Sequence, residues 1–125
     1  AGGAGIPAFY TPTSVNTPLA EGKEIREFGG RHYVMEYGLS ADFALVKCKT
    51  ADRYGNLLYN KTARNFGPIM CMAARAAIVQ TSVIVGAGEI DPEVVVTPGI
   101  FVKKVIHIAN PVSENQLLKE QRRYP

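Results

Sequence analysis

The sequence predicts an α/β fold with a mostly parallel sheet, flanking helices and a β-hairpin, and three observations carry that expectation. Residues 41–48 read as a strand that is apolar on nearly both faces, with Phe43 and Leu45 alternating against Ala44, Val46 and Cys48. Such a strand suits a parallel sheet covered on each side, and we place it centrally. A helix opened by Gly67-Pro68 and a second apolar strand at 77–79 follow in order. Strand, helix and strand in that sequence call for a right-handed crossover. Upstream, Gly29-Gly30 separates two strand-like runs.

The elements follow along the chain. The opening residues read as loop. Residues 24–28 and 31–37 flank Gly29-Gly30, a pair able to take the positive φ values that a tight hairpin turn requires. Asp52-Arg53-Tyr54-Gly55-Asn56 reads as a turn into a short strand at 57–60. Pro68 is expected at the first helical position, where the missing N–H has no intrahelical partner and the fixed φ is already helical. From there Ile69, Met72, Ala73 and Ala76 recur at helical spacing and give one narrow apolar face for packing on the sheet. Arg75 at the far end would complement the macrodipole. Asp91-Pro92-Glu93 begins a short turn before the apolar run at 94–96, and 100–108 reads as the last strand. Residues 110–125 form a polar, charged tail, and no internal repeat or low-complexity tract is visible.

Composition bounds the function classes. The chain has 125 residues, 46% apolar and 20% charged, as expected of an ordinary globular domain. That length supports a core but is short for a doubly wound enzyme with its own complete site. The formal charge of +3 is spread thinly, and the basic pair near the end is Arg122-Arg123. A nucleic-acid partner would call for a clustered basic stripe, so none is expected. No apolar run approaches the roughly 20 residues of a membrane-spanning helix, and the start lacks the pattern of a secretory leader. Cys48 and Cys71 have neither CxxC nor zinc-ligand spacing and read as buried thiols of a cytoplasmic protein. No metal site is expected.

The octet Ala63-Arg64-Asn65-Phe66-Gly67-Pro68-Ile69-Met70 joins an Arg-Asn segment to a proline-marked helix in a way few families share. Four other segments accompany it in order: Gly2-Gly3-Ala4-Gly5-Ile6-Pro7-Ala8-Phe9-Tyr10-Thr11-Pro12-Thr13, Glu21-Gly22-Lys23-Glu24-Ile25-Arg26-Glu27-Phe28, Ala41-Asp42-Phe43-Ala44-Leu45-Val46-Lys47 and Asp52-Arg53-Tyr54-Gly55-Asn56-Leu57. Thr97-Pro98-Gly99-Ile100-Phe101-Val102 completes the set. Together they resemble the second half of the alpha subunit of family I coenzyme A transferases, most closely the beta-ketoadipate (3-oxoadipate) type and next the acetoacetate type. The resemblance implies that 1–125 is the C-terminal half of an alpha-subunit domain. It fits an opening, Ala1-Gly2-Gly3, that has no methionine and enters as though mid-fold. The expected partners are an acyl-CoA, a 3-oxo acid, an N-terminal half completing the sheet and a beta subunit.

By the same resemblance, Gly3, Ala4, Gly5, Ile6 and Phe9 lie beside the active-site cleft and shape the acyl pocket. Read from the residues alone, the glycine stretch is a turn. It lacks the Lys-Ser/Thr ending and the preceding strand of a phosphate loop. One departure stands out. Where the family continues with glycines after Thr-Pro-Thr, this chain has Ser14-Val15-Asn16-Thr17.

Family chemistry implies a glutamate on the beta subunit, within Ser-Glu-Asn-Gly, that attacks the thioester and becomes a glutamyl-CoA intermediate; CoA is substrate, and no resident cofactor is implied. A carboxylate serves as nucleophile when positioned and shielded from water. Ser113-Glu114-Asn115-Gln116 echoes the motif but reads as a capped, solvated helix start. No catalytic residue is assigned in this chain. His32 and His107 read as structural or exposed, Glu89 and Asp91 as turn acids, and Arg64-Asn65 as helix-capping. A non-catalytic ligand-sensing domain of related fold, or a purely structural subunit piece, are the competing classes.

Overall fold

The computed structural model describes residues 1–112. The Ser113-Glu114 segment and most of the polar tail lie outside the described residues.

Three small sheets organise the chain. The first holds strands β1 (Ala8–Thr11), β2 (Ile25–Phe28) and β3 (Arg31–Tyr37) in the antiparallel order β1-β3-β2. The expected hairpin is present, with Gly29 and Gly30 both at positive φ, 57° and 78°. β1 corrects the reading of the opening as loop throughout: its pairing partner is β3, more than twenty residues away, so no local pattern announces it.

The second sheet is parallel and holds β4 (Ala41–Lys47), β7 (Ala74–Thr81) and β9 (Lys104–His107) in the order β4-β7-β9. Among the described residues β7 is therefore central and β4 stands at an edge, contrary to expectation. The alternation along β4 is present, but among the described residues one face is covered rather than both. Ala44, Val46 and Cys48 are buried, whereas Phe43 and Leu45 are 66% and 75% exposed. β9 is shorter than the expected strand, because Gly99–Phe101 forms a turn of 3-10 helix before it. Gly99 sits against the carbonyl of Tyr54 so closely that a β-carbon would overlap it. The third sheet is β6-β5-β8: β5 (Thr50–Asp52) pairs antiparallel with β6 (Leu57–Leu58) and parallel with β8 (Ile84–Val85). The Asp52–Asn56 turn is as read, while β6 ends two residues earlier than expected.

Helix α1 (Ala63–Ala73) starts four residues before Gly67, so Pro68 lies inside it rather than at its first position. Pro68 has no N–H for the carbonyl of Arg64, a loss tolerated where residue 64 faces solvent. The helix ends at Ala73, which puts Arg75 and Ala76 in β7; Arg75 is exposed, 3.4 Å from Asp42. The expected packing face is also corrected. Cys71 is the buried residue of α1, while Ile69 and Met72 are exposed. The helix instead approaches the core through Gly67, where a β-carbon would stand 2.5 Å from Cε1 of Tyr59.

The core lies between α1 and the sheets. It gathers Ala44, Val46, Cys48, Ala51, Leu57, Tyr59, Cys71, Ala77 and Val79, with Val96, Phe101 and Val105 packed around them. Full burial of Leu57 and Val79 contributes roughly 1.5–3 kcal/mol each. Tyr59 carries the one phenol in this cluster, and its hydroxyl hydrogen-bonds Thr97 Oγ1 at 2.9 Å and contacts Cys71 Sγ at 3.8 Å.

Candidate functional site

A cleft of about 560 Å³ opens where the start of the chain meets α1, within the range typical of small-molecule sites. Gly2–Ala4 forms a single turn of 3-10 helix, closed by Gly5 at φ 73°. This turn is pressed between two backbones. A β-carbon on Gly2 would overlap the carbonyl of Leu39, and one on Gly3 would lie 2.8 Å from the backbone of Met72. Glycine is required at both positions by close approach, which explains the small-residue run without a phosphate.

The facing wall is apolar. Phe66, Ile69, Met70 and Met72 project from α1 into the cleft and meet Phe9 from β1 and Leu39 from the β3–β4 connection. Phe66 is 64% exposed, and Ile69, Met70 and Leu39, also exposed, extend the apolar surface along this cleft. Of the five residues that the resemblance assigns to an acyl pocket, Gly3, Ala4 and Phe9 line this cleft. Gly5 closes the turn from outside the cleft wall and Ile6 is exposed beyond it.

Glu36 is the carboxylate on this wall. Lys23 Nζ holds both its oxygens, at 2.7 and 2.9 Å. Among the described residues, no serine, cysteine, histidine or lysine side chain lines the cleft. Its described walls are therefore largely apolar and suit an apolar ligand, and the paired Glu36 is poorly set up as a nucleophile.

Ser14 and Asn16, which replace the expected glycines, adopt positive φ values of 71° and 59°. The glycine-type backbone is thus retained by non-glycine residues. Thr17 stabilises it, with both its N–H and its hydroxyl donating to the Ser14 carbonyl, at 3.1 and 2.7 Å. Such conformations disfavour L-residues by roughly 1–2 kcal/mol, less for Asn.

The remaining candidates lie elsewhere. His32 Nε2 is 3.7 Å from Glu27 on the exposed hairpin, and His107 Nε2 contacts the Ser82 carbonyl at 3.1 Å. Glu89 accepts from the Gly86 N–H and Asp91 from the Glu93 N–H, both as turn acids. Arg64 and Asn65 are exposed in the first turn of α1. Cys48 and Cys71 are free and buried, and burial is the main cause pushing both thiols up from the ordinary range. Among the described residues there is no cluster of metal-binding side chains, and no helix is long and apolar enough to cross a membrane. Sequence reading missed Glu36, Tyr37, Leu39, Phe66 and Met70 as cleft residues. The signal was present in α1, whose apolar residues exceed what one packing face needs.

A parallel sheet carrying one helix, with a glycine-pinned apolar cleft beside it, defines an α/β scaffold with a cleft of small-molecule size. The profile of the family described as Coenzyme A transferase matches residues 1–107, and the chain belongs to that family. It is 58% identical over 109 residues to the A subunit of the 3-oxoadipate CoA-transferase of Pseudomonas putida, covering 87% of this chain and 47% of that protein. It is 56% identical over 106 residues to the A subunit of a probable succinyl-CoA:3-ketoacid coenzyme A transferase of Bacillus subtilis, covering 85% and 44%. The chain thus spans somewhat less than half the length of these relatives. The fold is also that of an acyl-CoA transferase from Escherichia coli O157:H7 solved as a thioester complex with CoA. There the TM-score is 0.76 at 17% identity, covering 90% of this chain and 26% of that one. Glutaconate coenzyme A-transferase from Acidaminococcus fermentans gives 0.71 at 18% identity, covering 85% and 40%.

Proposed function

We propose that this chain supplies one wall of the acyl site in a two-subunit transferase that moves CoA from succinyl-CoA to a 3-oxo acid, with 3-oxoadipate the first candidate acceptor and acetoacetate the second. The observation that carries it is the apolar cleft formed by Phe9, Phe66, Ile69 and Met72 against the Gly2–Ala4 turn, in a chain of this family. An acyl-CoA needs a dry wall along its chain and a shielded carbonyl, because water would hydrolyse an activated intermediate. The described wall lacks an unpaired nucleophile, which supports placing the glutamate that forms the glutamyl-CoA thioester on a beta subunit. The names of the two relatives support the donor and acceptor classes. On this reading residues 1–125 are the C-terminal half of the alpha chain, working in the cytoplasm with its N-terminal half.

The test is to purify the assembled protein, identify its chains by mass, and assay CoA transfer from succinyl-CoA to 3-oxoadipate and to acetoacetate. A partner carrying Ser-Glu-Asn-Gly and faster turnover with 3-oxoadipate are expected. Activity with neither acid would return the chain to the ligand-sensing class.

A further inference from the structure

Strand β2 is the outer strand of the antiparallel sheet β1-β3-β2, and all of its residues, Ile25 to Phe28, are exposed. The Met35 N–H donates to the Glu24 carbonyl at 2.9 Å, and Ile25 lies opposite Val34 and Glu27 opposite His32. In an antiparallel ladder that register turns the N–H and C=O of Ile25 and Glu27 away from β3. Among the described residues no strand pairs with that side. An open edge of this kind is a template for another strand.

The charges along the edge say which strand fits. Lys23-Glu24-Ile25-Arg26-Glu27 reads plus, minus, neutral, plus, minus, a pattern that inverts its sign about Ile25. Two copies run antiparallel and centred on Ile25 therefore set each Glu24 opposite Arg26 and each Lys23 opposite Glu27. Centring on Glu24, Arg26 or Glu27 instead sets that residue against itself, and like charges directly opposite are unfavourable. The backbone favours the same register. At the centre the two Ile25 residues exchange both hydrogen bonds, and each Glu27 N–H meets the Lys23 carbonyl of the second copy. The Lys23 N–H is not needed there; it donates to the Ala20 carbonyl at 3.1 Å. Ile25, 47% exposed, would meet its own copy at the axis.

We infer that β2 joins a second copy of this chain, edge to edge about a two-fold axis at Ile25, so that the three-stranded sheet of one copy continues into that of the other. Such a contact is self-complementary and closed. It uses only the β2 edge, and it stands whether or not the acyl-transfer reading holds. The test is oxidative cross-linking of the assembled protein carrying Ile25→Cys, with the parent as control because Cys48 and Cys71 are buried. Across a hydrogen-bonded antiparallel pair the Cα atoms stand about 5.5 Å apart, within the reach of a disulfide. In this register the two Glu27 positions are roughly 14 Å apart, at about 3.4 Å per residue. Ile25→Cys is expected to give a disulfide-linked dimer of this chain, with the bridge mapped by peptide mass, and Glu27→Cys at least tenfold less. Glu27→Lys, which sets like charges opposite Lys23, should lower the Ile25→Cys yield severalfold at unchanged melting temperature. No link through Ile25→Cys, equal linking through Glu27→Cys, or a yield indifferent to Glu27→Lys would overturn the inference. Slow amide exchange at Ile25 and Glu27 without the link would also overturn it, by giving the edge to a different strand of the assembly.

Discussion

Gly67 of α1 lies so close to the ring of Tyr59 that a β-carbon would stand 2.5 Å from Cε1. That ring cannot easily retreat, because its hydroxyl is anchored 2.9 Å from Thr97 Oγ1 in the core. Gly67→Ala would ordinarily gain helix propensity of about 1 kcal/mol. Here overpacking should win, giving a net loss of about 1–3 kcal/mol in denaturant unfolding. A variant as stable as the parent or more so would show that α1 can shift away from the ring.

Tyr59→Phe keeps the shape and leaves the buried Thr97 hydroxyl without this partner, so a loss of about 1–3 kcal/mol is expected. The same phenol makes a pH prediction. Burial raises its pKa well above the ordinary value of 10.0, so the folded protein keeps the proton after the unfolded chain has lost it. The unfolded state then binds fewer protons, and stability falls as pH rises past about 10. Tyr59→Phe should flatten that part of the fall; an unchanged alkaline profile would contradict it.

The fold and the cleft differ in how much of each is legible in the sequence. The hairpin can be read because Gly29-Gly30 is local and its positive φ values have one common use. The parallel pair β4 and β7 can be read because alternation and element order are also local. The start of α1 is misread because Pro68 signals a first helical position so strongly, although Ala63–Phe66 are compatible with helix. The cleft wall is hidden for a different reason. Phe66, Ile69 and Met72 are plainly apolar, but which side of α1 stays open depends on Gly3 packing against Met72. That contact spans about seventy residues of sequence.

Both thiols should be slow to react. Burial raises the pKa of Cys48 and Cys71, leaving little thiolate at pH 8. Alkylation by iodoacetamide at that pH is expected to be much slower than for a free thiol and to become fast in denaturant. Rapid modification of the native protein would place one of them at the surface.

Met72 separates binding from packing. At 39% exposed and lining the cleft, it can accept a charge without burying it in the core. Met72→Asp should cost less than about 1 kcal/mol of stability. If the cleft holds the acyl chain as proposed, repulsion and added hydration there should lower kcat/KM for CoA transfer by at least tenfold. A large fall in melting temperature would restore the packing role expected of this residue from its spacing.

The central claim is that this chain provides an acyl-site wall while the nucleophile belongs to a partner. The direct measurement is to incubate the assembled transferase with succinyl-CoA alone, reduce any enzyme–CoA thioester with borohydride, and map the modified residue by peptide mass. The account predicts modification of a glutamate in the partner chain and none in residues 1–125. Modification of a residue in this chain, Glu36 at the cleft or Glu114 beyond the described residues, would contradict it.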